Sequence, residues 1–174
     1  MTHIMVDLET LSTRTNATIL AIGAVKFDTE RKVYHRFYEA VQTPTGIPGF
    51  HISGDTMDWW AQQSEEARKV FVDPNAVPID VALTEFASWA TSDCNKKDIR
   101  IWGNGAAFDN AILSTAYTLC EIEQPWNFWN DRCYRTMKHL VPGPALIRSG
   151  THHNAVDDAE SQALHLLAME IELA

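Results

Sequence analysis

The segment THHNAVDDAE, residues 151 to 160, places two adjacent histidines before two adjacent aspartates. Two registers of one pattern fit it, His152 with Asp157 and His153 with Asp158. A neutral imidazole can take a proton from water near neutral pH, and a carboxylate offers hard oxygen ligands. Further acids are needed before this amounts to a site. Asp7 and Glu9 lie two apart in HIMVDLE, and side chains two apart on a strand share a face. Like charges on one face are costly unless they are solvated or met by a cation, so the pair alone reads equally well as a solvated edge. Asp109, in WGNGAAFDN, follows a strand and begins a helix, where open α/β sheets build their sites. By itself it is also an ordinary first-turn acid favoured by the helix dipole. Asn154, Asp157 and Asp158 by themselves read as helix caps. Together, Asp7, Glu9, Asp109 and one terminal Asp supply four hard oxygen ligands, a set suited to Mg²⁺ or Mn²⁺ rather than zinc. Two such cations about 4 Å apart can activate a water, hold a scissile phosphate and stabilise the leaving oxygen. With a histidine as base, the implied chemistry is phosphodiester hydrolysis.

The elements that must position these groups follow from periodicity. In HIMVDLE, Ile4, Val6 and Leu8 alternate with Met5, Asp7 and Glu9, a strand signature. ATILAIGAVKFD and KVYHRFYEAV, separated by DTER, read as a hairpin, so three strands open the chain as neighbours. Residues 43–55 form a Pro- and Gly-rich loop, and SGDTMDWWAQQ starts a helix with Ser53 or Asp55 as its cap. SEEARKVF suits a second short helix. IDVALTEFASWA carries a helical stripe of Val81, Phe86 and Trp89, with Ala82 and Leu83 nearby. DIRIWGNG reads as a strand, AAFDNAILSTAYTLC as the helix after it, and NFWNDRCYRTMKHL as a short strand entering a helix. VPGPALIRSG is a loop, and the chain from His153 onward is a terminal helix with Val156, Ala159, Ala163 and Leu167 turned inward. The order βββ, helices, then β-α-β-α points to an α/β layered fold with a mixed sheet.

The bulk properties are consistent with one domain spanning residues 1–174. The chain is 45% hydrophobic and 21% charged, and no stretch approaches the ~18 apolar residues of a membrane span. The amino terminus lacks the basic-then-apolar pattern of a signal peptide. Cys94, Cys120 and Cys133 show no CxxC spacing and read as reduced thiols of a cytoplasmic protein. A formal charge of −9 argues against a protein that coats nucleic acid, but not against an enzyme that meets phosphate through bound cations.

DLE at Asp7 and Glu9, N-x3-F-D from Asn104 to Asp109, and H-x4-D at the terminus resemble, in order, the three motifs of the DEDDh (DnaQ-like) 3′-5′ exonuclease family. TNATILAIGAVKFD, RCYRTM and HNAVDDAESQAL are most similar to its compact RNase T-like branch of bacteria and phages, which includes exoribonucleases. The resemblance implies an RNase H-like fold, a mixed five-stranded sheet with helices on both faces, and two divalent cations, Mg²⁺ or Mn²⁺. It implies that Asp7 bridges both metals, that Glu9 and Asp158 complete the site of the metal that activates water, that Asp109 serves the other, and that His153 is the base. Thr10 matches a position that touches the terminal nucleotide, and Asn104 supports the turn or contacts substrate. The same resemblance selects His153 with Asp158, since the family's last acid is usually the second of a DD pair; helix geometry alone leaves Asp157 open.

For the substrate, Trp59, Trp60 and Phe108 are candidates for stacking on bases, worth roughly 1–3 kcal/mol per base, with one tryptophan of the pair buried and the other partly exposed. His51 has no assigned role. Arg14, Lys69, Arg132 and Arg135 are candidate phosphate contacts, but scattered cations read first as solvated surface charge. So little basic surface suits a short footprint at a single-stranded 3′ end. The branch resembled favours RNA. A phage DNA exonuclease is the alternative, and an inactive RNase H-like binding module is weaker, because all five catalytic positions are filled. A homodimer is an assembly common among related enzymes, and no membrane partner is expected.

Overall fold

The computed structural model describes residues 1–148, 150–171 and 173. Three antiparallel strands come first: β1 (Thr2–Thr10), β2 (Ile19–Asp28) and β3 (Lys32–Ala40). Helix α1 (Gly54–Ala61) follows, with Ser53 at its N-cap position, then α2 (Glu65–Arg68), capped by the Ser64 hydroxyl accepting from the Ala67 N–H and continued as a 3-10 turn over Lys69–Val72. Helix α3 (Ile79–Ala90) leads to β4 (Ile99–Gly103), α4 (Asp109–Leu119), β5 (Asp131–Cys133), α5 (Tyr134–Leu140) and α6 (Ala155–Ala168). The sheet order is β3-β2-β1-β4-β5, with β1 parallel to β4 and β4 parallel to β5, so it is mixed and five-stranded as expected.

The alternation along β1 decides what lies on each face. Ile4, Val6 and Leu8 join Phe86 of α3 and Ile112, Leu113 and Ala116 of α4 in one core. Met5 joins Tyr134 of α5 and Val156, Ala159, Ala163 and Leu166 of α6 in the other. Asp7 and Glu9 follow Met5 in the same alternation, which puts them on the α6 side. Because helices cover both faces, these acids are not a solvated edge.

Two expected stripes are corrected. Helix α3 spans the expected segment after Pro78 at its N-cap, but it buries Ile79, Ala82, Leu83, Phe86 and Ala90 at helical spacing. Val81 is 37% exposed and Trp89 only partly buried. Helix α6 begins at Ala155 rather than His153, because the Asn154 side chain caps it by accepting from the Asp157 N–H. It ends at Ala168, and Leu166 rather than Leu167 is fully buried. Glu172 and Ala174, expected in this helix, lie outside the described residues. Helix α4 likewise begins three residues later than expected, after a turn in which the Phe108 and Asp109 N–H groups donate to the Gly105 carbonyl. Among the described residues, no helix is long and apolar enough to cross a membrane.

Candidate active site

Two glycines determine how closely the acids can meet. Gly23 of β2 pairs with Asp7 of β1, and a Cβ there would lie 2.1 Å from the Ala155 carbonyl carbon and the Val156 nitrogen. Only glycine lets the first turn of α6 rest on the sheet beside Asp7. Gly103 ends β4, and a Cβ there would lie 2.3 Å from Asn110 Oδ1 and 2.8 Å from Asp109 Cβ. Each helix therefore brings its first-turn acid, Asp158 or Asp109, down to the end of β1.

Ligand oxygens of Asp7, Glu9 and Asp158 lie within 4.8 Å of one another. Asp109 Oδ1 accepts the Leu8 N–H at 3.3 Å, on the parallel side of β1, where pairing with β4 stops at Val6 and Gly103. The β1–β2 ladder shifts register between Glu9 and Thr10, an irregularity that redirects side chains at the strand's end. Glu9, Asp109 and Asp158 are buried and Asp7 partly so. Burial, then repulsion from Asp109, raises the Asp7 carboxyl well above its usual range. Burial and then Asp7 push Glu9 up to about 9. Burial raises Asp109 to about 7, against the backbone N–H groups of Leu8, Asp109 and Asn104 that favour its charged form. Four acids gathered this way form a site short of positive charge. An all-oxygen set of this kind fits Mg²⁺ or Mn²⁺.

The structure separates the two adjacent aspartates. Asp158 Oδ2 accepts the His153 N–H at 3.0 Å, and its Oδ1 pairs with Arg148. Asp157 faces away, accepting Arg36 Nη2 at 2.7 Å and the Thr151 N–H at 2.8 Å. Arg36 also pairs with Glu160 at 2.6 Å, which ties β3 to α6. His153 sits at φ 63, a left-handed conformation uncommon outside glycine, and the Asp158 bond helps hold it. Its ring packs edge-on to Trp59 at 5.0 Å and lies 3.8 Å from that of His152. Burial and the neighbouring His152 lower its pKa, which favours the neutral ring. Ligand atoms of His152, His153 and Asp158 form a second close group, although His152 itself is exposed.

Asp7, Glu9, Asp158, His152 and His153 line a cavity of about 530 Å³ with Thr10, Asn104, Phe108, Trp59 and Trp60, whereas Asp109 sits behind Leu8, outside the lining. Trp60 is 2% exposed, and its Nε1 donates to the Thr10 carbonyl at 2.9 Å; Trp59 is 42% exposed. Trp60 thus braces Thr10, and Trp59 presents the open ring. The hydroxyl of Thr10 donates to the Ser12 carbonyl. His51, left without a role, hydrogen-bonds through Nδ1 to the Ser12 hydroxyl at 2.8 Å.

Two site residues escaped the sequence reading. Gln162 Nε2 donates to Asp7 Oδ1 at 2.8 Å, and Gln162 follows Asp158 by four, so helical spacing pointed to it. Arg148 is the one Lys or Arg among the described residues lining the cavity, and its signal was being the only cation in VPGPALIRSG. The four cations proposed from sequence lie elsewhere. Lys69 pairs with Glu66 at 2.6 Å, Arg132 donates to the Trp129 and Asp131 carbonyls, and Arg14 is exposed. Arg135 brings its guanidinium beside Gly105, where its charge favours ionised Asp109.

The model of a family described as a 3′-5′ exoribonuclease Rv2179c-like domain matches residues 2–169. No curated protein sequence matches the chain. Several solved structures share the fold at low identity. The nuclease domain of 3′hExo, a DEDDh family member bound to rAMP, superposes with a TM-score of 0.63 at 14% identity, over 97% of this chain and 91% of that one. Cell-death related nuclease 4 gives 0.62 at 16% identity, over 97% and 63%. E. coli Exonuclease I in complex with a dT13 oligonucleotide gives 0.64 at 14%, over 94% and 39%. The chain thus spans less than two thirds of the last two. The RNase H-like DEDDh fold implied by the resemblance is borne out.

Proposed function

The chain belongs to the Rv2179c-like 3′-5′ exoribonuclease domain family, and from that premise we propose that it is a metal-dependent 3′-5′ exonuclease acting on single-stranded RNA. One observation carries the reading: Asp7, Glu9 and Asp158 bring ligand oxygens within 4.8 Å in a cavity that also holds His153. Asp109 joins them through the Leu8 N–H.

Asp7, Glu9, Asp109 and Asp158 would hold two divalent cations. When bound, these supply positive charge to the scissile phosphate and acidify an adjacent water. Neutral His153 accepts the proton of the attacking water. The water oxygen bonds to phosphorus as the bond from phosphorus to the 3′ oxygen breaks. The shortened chain keeps a 3′ hydroxyl, and the released nucleotide carries a 5′ phosphate. Trp59 stacks on the terminal base, Trp60 fixes Thr10 against that nucleotide, and Asn104 and Phe108 bound it on the Asp109 side. Gln162 holds the Asp7 carboxylate in the orientation its oxygens need. The family's description supports RNA over DNA.

The test is incubation with RNA and DNA oligonucleotides of one sequence, labelled at either end, in Mg²⁺, Mn²⁺ or EDTA. Metal-dependent shortening of RNA from its 3′ end is expected. Faster shortening of the DNA would reassign the substrate, and no shortening of either would remove the enzyme reading.

A further inference from the structure

One charge in the cavity has no part in the steps above. Arg148 is its single Lys or Arg among the described lining residues, in a chain whose formal charge is −9. Its Nη1 pairs with Asp158 Oδ1 while the side chain stays 48% exposed, so the guanidinium lies between a buried carboxylate and the open cavity. Asp158 accepts the His153 N–H through Oδ2 and Arg148 through Oδ1, so a cation that takes Oδ1 meets Arg148 there. Two divalent cations would balance the four carboxylates. The phosphodiester brings a further negative charge to a lining whose other charged group is Asp55. A guanidinium fork matches two phosphate oxygens.

Resting on the exonuclease reading, we propose that Arg148 grips the phosphate of the terminal nucleotide, bonding its non-bridging oxygens, and competes with the cation for Asp158. The two roles have opposite signs on removal. Without Arg148, a nucleoside monophosphate loses a partner, while a cation gains an uncontested Asp158 oxygen. A purely structural role for Arg148 would weaken both.

Calorimetry on wild type, Arg148→Met and Arg148→Lys decides this, with Mg²⁺ alone, then AMP and adenosine at saturating Mg²⁺. Arg148→Met is expected to bind AMP about tenfold more weakly, to leave adenosine unchanged and to bind Mg²⁺ several-fold more tightly, roughly the scale of one charged hydrogen bond. Arg148→Lys recovers part of the AMP affinity. Equal loss of AMP and adenosine, or weaker Mg²⁺ binding, overturns the proposal by showing only a disturbed loop. An Arg148→Met protein that binds AMP like a wild type competent for both ligands overturns it alone. A wild type that binds neither Mg²⁺ nor AMP removes the exonuclease reading and this role with it.

Discussion

The end of β1 and the segment from Arg148 to Asp158 both bring acids to the cavity, but they are held in different ways. Asp7 and Glu9 stand on a strand paired to β2 along its length and to β4 up to Val6, so ladder bonds fix their backbone whatever their side chains do. The second segment is held by its own carboxylates: Asp157 takes the Thr151 N–H and Arg36, and Asp158 takes the His153 N–H and Arg148. On the strand, a side chain can serve metal chemistry alone. On the segment, Asp158 both joins the acidic cluster and shapes the loop that carries His153, the proposed base.

The largest effect that would sharpen this contrast is on the strand side. Asp7→Asn should lose on the order of a thousandfold in kcat or more. Its metal-free melting temperature should rise, because the cost of burying an ionisable carboxyl beside Asp109 is gone. A fall in melting temperature would mean that Asp7 also holds the fold. Next, Gly23→Ala places a methyl 2.1 Å from the start of α6 and should lift Asp158 away from Asp7. A loss of about 1–3 kcal/mol in denaturant unfolding is expected, with weakened Mg²⁺ binding. Unchanged Mg²⁺ affinity would show that this close approach is dispensable.

A smaller effect is linked to pH. Glu9 is raised from 4.5 to about 9 and Asp109 from 3.8 to about 7 in the fold, so the folded state favours their protonated forms. That stabilisation is complete below about pH 4 and is lost as pH rises through 7 and then 9. The melting temperature in EDTA should therefore fall from pH 5 to pH 9, and the gain on adding Mg²⁺ should be larger at pH 8 than at pH 5. A gain independent of pH would contradict the clustering. The smallest effect is at Trp59: Trp59→Ala should raise KM about tenfold through lost stacking, with kcat reduced less, since the ring also borders His153. A loss confined to kcat would assign Trp59 to holding the base rather than the substrate.

Much of the strand side was legible in the sequence. Alternation in HIMVDLE put Asp7 and Glu9 on one face, and a strand-then-helix pattern put Asp109 at a site-forming junction. The close approaches at Gly23 and Gly103 were not legible, because a glycine inside a strand pattern does not say which helix will press on it. The stripe on α3 was misplaced because Val81 and Phe86, five residues apart, lie about 140° apart around a helix and cannot share one buried face. Arg148 lay in a Pro- and Gly-rich loop, where a lone cation looks like surface charge until the fold turns it onto Asp158. The two aspartates of the DD pair could not be told apart by spacing. Arg36 on β3, far away in sequence, is what turns Asp157 outward, with the Thr151 N–H as its local partner.

That pair provides the most direct test. Wild type, Asp158→Asn and Asp157→Asn should be compared on a 5′-labelled single-stranded RNA in Mg²⁺, following the ladder of 3′-shortened products. Asp158→Asn is expected to lose at least a hundredfold in rate, whereas Asp157→Asn keeps activity within about tenfold and loses roughly 1 kcal/mol of stability. Full activity in Asp158→Asn, with loss in Asp157→Asn, would contradict that expectation.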